Sequence, residues 1–122
     1  MSVVGILVSC ASIIKQDYYY DEIIINNKSS KSVSDVVIKV SETGMMFSCS
    51  FIPSQGECSN KFRKRKYRGH SVSLSWIFNN DVKKYSQQIK LQLPKEAKST
   101  KPLKGMLVID NQGTVNPYLF QE

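Results

Sequence analysis

The sequence is poor in the residues from which reaction centres are most often built. Histidine occurs once in 122 residues, at His70, and no C-x-x-C pair is present. Cys49, Cys58, His70 and Met46 form the one soft donor set that can be assembled, suited to copper or zinc in a periplasmic carrier. It falls short of a complete ligand set. The carboxylates Asp35, Glu42, Glu57, Asp81 and Asp110 are scattered through or beside turn-like stretches, and no two are spaced for acid–base work. No Ser-His-Asp arrangement is signalled. These gaps predict a non-catalytic chain with no cofactor, no resident metal and no small-molecule substrate. No run approaches the roughly 20 apolar residues that span a bilayer as a helix. No segment shows a capped 3.6-residue period, and there is no internal repeat.

What the chain does have is alternation. "YYYDEIIINN" (Tyr18–Asn27) is dense in aromatic and β-branched residues. In "VSDVVIKV" (Val33–Val40), Val36, Ile38 and Val40 share one face, and Asp35, Val37 and Lys39 the other. "MMFSCSFI" (Met45–Ile52) places Met45, Phe47, Cys49 and Phe51 on one side. "GHSVSLSWIF" (Gly69–Phe78) is the clearest case, with Val72, Leu74, Trp76 and Phe78 alternating with serines and Ile77. Tyr85, Ile89, Leu91 and Leu93 continue the pattern. "GMLVID" (Gly105–Asp110) and "TVNPYLFQ" (Thr114–Gln121) form a last hairpin around "NQG", with Pro117 fitting an edge or a bulge. Turn-forming stretches separate these runs: "KSSKS", "SETG" with Gly44 free to take positive φ, "PSQGE" and "NND". About seven short strands at this spacing predict an antiparallel β-sandwich of immunoglobulin-like type over residues 18–122, with Trp76 as core anchor.

Three cysteines is an odd number, so they do not share one role. Cys49 and Cys58 flank the turn-like "SFIPSQGE" and suit a disulfide if the chain is exported. Cys10 stands apart behind the apolar "VVGILV". Leu7-Val8-Ser9-Cys10 resembles the lipobox of bacterial lipoproteins, in which the cysteine becomes the lipidated first residue. The resemblance implies that residues 1–17 are a signal and tether. The stretch before Cys10 holds no Lys or Arg, so as a signal it reads as truncated. Ala11, standing where an Asp would retain such a protein at the inner membrane, implies the periplasmic side of the outer membrane. The alternative reading is a buried first strand with a buried thiol at Cys10.

From Asn26 to Trp76 the order of motifs is a strand ending in Asn, "DVVIKV", a Gly turn, "CSFIP", a second cysteine and "VSLSW". This resembles small immunoglobulin-like or fibronectin-like modules of bacterial envelope proteins, which bind, space or scaffold. The cysteine spacing departs from that of antibody domains. The resemblance implies a protein-binding or assembly module whose partner is another envelope component, and no enzymatic role.

Charge supplies the second reading. Lys and Arg number 17 against 10 Asp and Glu, a net charge of +7. Six of those cations fall within "KFRKRKYRGH" (Lys61–His70). Arg63, Lys64, Arg65, Lys66 and Arg68 are candidate ligands for lipopolysaccharide, anionic lipid or, less fittingly for an exported chain, nucleic acid. Phe62 and Tyr67 are available to stack on bases. The competing reading is a solvated loop or an edge strand whose charge discourages edge-to-edge pairing, with Phe62 and Tyr67 facing the core.

Overall fold

Alternating residues and frequent turns leave the chain little option but to fold back on itself. The computed structural model, which describes residues 17–69, 71–79 and 83–122, has that form. Its regular structure is entirely extended: β1 (Tyr19–Asn27), β2 (Val33–Val40), β3 (Met46–Ile52), β4 (Glu57–Lys66), β5 (Ser71–Phe78), β6 (Lys84–Lys90), β7 (Leu103–Ile109) and β8 (Val115–Phe120). These pair into two four-stranded sheets, ordered β4-β1-β7-β8 and β3-β2-β5-β6. The inward faces pack as a sandwich.

Two features differ from the sequence reading. The basic segment contributes an eighth strand, β4. Pairing is also not wholly antiparallel, because β1 runs parallel to β7. A parallel pair needs a crossover. Here everything from β2 to the 91–102 segment supplies it, returning the chain to the end of the sandwich where β1 begins. Pro117 lies on β8, an edge strand, where a missing N–H does no damage to the sheet.

The core forms where alternation predicts it. Val72, Leu74, Trp76 and Phe78 point inward from β5, and Trp76 is wholly buried. Tyr85 of β6 stacks on the Trp76 indole at 5.7 Å, and Phe78 meets both rings edge-on at 6.0 and 5.0 Å. Gly113 takes positive φ in the β7–β8 turn, and a Cβ there would lie 2.7 Å from the Tyr85 ring. Among the described residues the Trp76 Nε1 has no hydrogen-bond partner, and the indole is held by packing.

β2 departs from strict alternation. Asp35 sits in β2 with φ of 50°, a conformation that Asp tolerates better than most residues. The β2–β5 register slips between Ser34 and Val37, forming a bulge. Val33 and Val36 therefore both face the core although three positions apart. β3 pairs with β2 without interruption and copies the change of phase: Cys49 and Ile52 are buried, and Phe51 is 58% exposed. The expected shared face of Met45, Phe47, Cys49 and Phe51 thus ends at Cys49.

The two lateral seams of the sandwich are closed differently. On one side the sulfurs of Cys49 in β3 and Cys58 in β4 are bonded, with Cα atoms 6.6 Å apart. Phe47 and Phe62 stack beside them at 5.1 Å. On the other side the Gln87 amide of β6 bridges to the Val115 backbone of β8, donating to its carbonyl at 3.0 Å and accepting from its N–H at 2.9 Å. At the far end, buried Asn27 binds the β1–β2 and β3–β4 loops together through Lys31, Ile52, Pro53 and Ser29.

Two outcomes follow for stability. Trp76→Ala is expected to cost about 3–5 kcal/mol in urea unfolding, as befits a large buried aromatic. Replacing Cys49 and Cys58 together by Ser is expected to cost about 2–3 kcal/mol, from the freedom restored to the unfolded chain by opening a short loop.

Candidate functional site

The basic segment is an edge strand with one hydrogen-bonded neighbour, β1. Its N-terminal half alternates regularly: Cys58, Asn60 and Phe62 turn inward while Glu57, Ser59 and Lys61 face solvent. Then the register breaks. Glu22 pairs with Lys61 and Tyr20 with Arg65, so three residues of β4 lie opposite Asp21 alone. Through and beyond that irregularity Arg63, Lys64, Arg65 and Lys66 are all exposed, and Arg68 follows them into the loop. A strand that normally shows solvent every second side chain here shows four cations in succession.

Local contacts fix how these cations lie. The Lys64 ammonium sits over the Tyr19 ring, 5.4 Å from its centre. Lys66 reaches the Asp17 carboxylate at 3.2 Å, and the Tyr67 N–H donates to the Tyr18 carbonyl at 2.7 Å. Arg65, Lys66 and Arg68 line an open depression of about 430 Å³ together with Thr43 and Glu42 of the β2–β3 turn. Burial pushes the Tyr20 phenol above its ordinary 10.0, and Arg65, which favours the phenolate, partly offsets that rise.

The aromatic residues of the segment are committed elsewhere. Phe62 packs on Phe47 and, edge-on at 5.4 Å, on Tyr20. Tyr67 is half-buried, its hydroxyl donating to the Leu91 carbonyl at 2.5 Å. Neither presents a free ring face for a base, so the competing sequence reading holds for both residues: they face the core. Cys10 and His70 lie outside the described residues. Among the described residues, no three His, Cys, Asp or Glu side chains gather where they could hold a metal ion.

Sequence reasoning missed a second feature, on the outer face of the sheet containing β1. A bulge at Tyr20/Glu22 turns neighbouring carboxylates toward one cation: Lys104 of β7 lies 2.8 Å from Asp21 and 3.6 Å from Glu22. The Ser59 hydroxyl donates to Glu22. The hydrogen bond to Asp21 chiefly raises the Lys104 ammonium above its usual 10.5. Beside this cluster runs an apolar strip. Ile24, Met106 and Tyr118 form one cross-strand row, flanked by Val108 and Phe120. Tyr118 is 56% exposed and the others half-buried. The signal in the sequence is faint, since "EIII" and "GMLVI" read as continuous apolar runs without an evident outer face.

No protein-family model matches the chain, and no curated protein matches it in sequence. Among solved structures it is similar to a protein from Eubacterium rectale determined by NMR. The two share 12% identity at a TM-score of 0.51, over 88% of this chain and 89% of that one. At that identity the likeness is one of fold.

The Lys104 cluster makes a pH-dependent prediction. Its ammonium is held charged above the ordinary value, so the stability it lends is fully present below about pH 10.5 and is lost as pH rises through the raised pKa. Lys104→Met is expected to cost about 1–3 kcal/mol at pH 8, because the nearly buried Glu22 loses its cation. Urea midpoints of the two proteins should stay apart up to about pH 10.5 and converge as pH rises beyond it. Buried Tyr20 and Tyr67 also destabilise the fold at alkaline pH, but equally in both proteins, so the difference isolates Lys104.

Proposed function

We propose that this protein is an exported lipoprotein, anchored through Cys10 on the periplasmic side of the outer membrane, whose sandwich is a non-catalytic module for binding another envelope protein. The observation that carries the binding role is the outward apolar row Ile24–Met106–Tyr118. Outer faces of sandwich sheets are ordinarily polar; the middle of the outer face of the β3-β2-β5-β6 sheet is polar, with Ser48, Ser73, Ser75, Ser86 and Gln88, while Met46 and Phe51 stand exposed singly on its β3 edge. A strip of apolar side chains bordered by the Lys104 cluster has the composition of a protein contact. The Cys49–Cys58 disulfide supports export, since such bonds persist in oxidising compartments.

Two measurements test the two halves of this reading. Mass spectrometry of the membrane fraction should find Cys10 acylated at the mature N-terminus; an unmodified Cys10 in a soluble product rejects the anchor. A pull-down from intact envelope should capture a stoichiometric partner with the native chain and lose it at least tenfold with Met106→Gln/Tyr118→Ser. Equal capture by the variant rejects the apolar row as the contact.

A further inference from the structure

Edge protection alone asks little of a strand: one or two charges, a proline or a bulge suffice. Two other edges accord with this, as β8 has Pro117 and β6 has Lys84 and Lys90, while the uncharged β3 edge is tied to β4 by the disulfide. β4 carries five cations and Arg68 stands just beyond its end, far more than protecting an edge requires. The register break at Asp21 then brings Arg63 through Lys66 to the surface together. Mutual repulsion makes that display costly, and the fold holds it in place with a disulfide and a packed Phe62.

Position narrows what these cations face. Tyr19 pairs with Lys66, and Asp17 is held by the Lys66 ammonium, so the chain enters the fold directly beside the basic end of β4. Seven residue steps separate Cys10 from Asp17, a reach of about 25 Å at full extension. The β1–β2 loop, with Lys28 and Lys31, lies at the other end of the nine-residue β1, about 30 Å away. A base-stacking role is disfavoured because Phe62 and Tyr67 are spent on packing.

We infer that the basic end of β4 (Arg63, Lys64, Arg65, Lys66 and Arg68) is a second membrane contact, binding the phosphate-bearing headgroups of the anionic lipid surface. The depression between Arg65, Lys66, Arg68 and Thr43 admits a headgroup phosphate, and Glu42 at its rim limits the net charge there. One lipid attachment alone lets a domain tumble, whereas a lipid plus a basic patch fixes a face toward the bilayer. With the β4 end down, the strands stand roughly along the membrane normal, and the cross-strand apolar row runs parallel to the bilayer and stays open to a partner. The orientation rests on the anchor proposed above; the binding of anionic headgroups does not.

The full chain carrying Cys10→Ala removes the acyl group and tests the patch by itself. Its co-sedimentation is measured with phosphatidylglycerol vesicles and with phosphatidylcholine vesicles. Binding is expected to the former only, and to weaken steeply as salt rises from about 50 to about 300 mM. Adding Arg65→Gln/Lys66→Gln/Arg68→Gln should weaken it about a hundredfold, at roughly a fivefold loss per cation. A control with the same charge loss at the far end, Lys28→Gln/Lys31→Gln/Lys84→Gln, should change binding by less than about threefold. Unaltered Trp76 fluorescence shows that each variant is folded. Equal losses in the two triple variants would reduce the effect to net charge and overturn the site. Displacement by inorganic phosphate at fixed ionic strength, or preference for a DNA duplex over the vesicles, would overturn the membrane assignment. Because acylation is absent throughout, none of these outcomes depends on the fate of Cys10.

Discussion

Everything distinctive about this molecule depends on how an edge strand full of like charges is kept on its sheet. β4 has one hydrogen-bonded partner, β1, and carries Lys61, Arg63, Lys64, Arg65 and Lys66. Left to itself such a strand is the first to fray, since repulsion is relieved as the cations move apart. Two contacts oppose this at the β3–β4 seam: the Cys49–Cys58 bond, and Phe62 packed between Phe47 and Tyr20. The opposite seam carries no comparable charge and is closed by the Gln87 amide on Val115. The covalent clamp thus stands on the seam that bears the charged strand, toward its N-terminal half, and Phe62 lies next to the cations themselves.

Much of this was legible in the residues. The serine–apolar alternation of Val72 to Phe78 announced both β5 and its buried face, and Pro117 announced an edge. Phe51 was misplaced because its orientation depends on a neighbour: the bulge at Asp35 shifts the phase of β2, and β3 follows through pairing. No feature of "MFSCSFI" encodes that. The parallel β1–β7 pair was hidden for a similar reason, as strand order is a property of the whole chain path. "KFRKRK" lacks the apolar partner residues that mark a strand. Only Phe62 and its pairing with β1 make it one.

The polar chemistry was less legible than the core. Asp21, Glu22, Ser59 and Lys104 come from three strands and meet because a bulge in β1 brings adjacent carboxylates toward one ammonium. Asn27 reads as a turn residue by composition, yet it is buried and ties two loops together. The cations of β4 were visible as a run, but whether their aromatic neighbours faced bases or the core could be decided only by packing. That packing turns the basic segment from a stacking platform into a charged rim beside the point where the chain enters the fold.

The central claim is that the seam clamp holds the charged strand in place. Native-state amide hydrogen exchange on the oxidised and the reduced protein tests it most directly. On reduction, amides of Ser59 to Lys66 that pair with β1 should lose at least tenfold in protection, while those of β5 around Trp76 change little. Equal protection of β4 in both states, or a uniform loss across both sheets, would contradict the account.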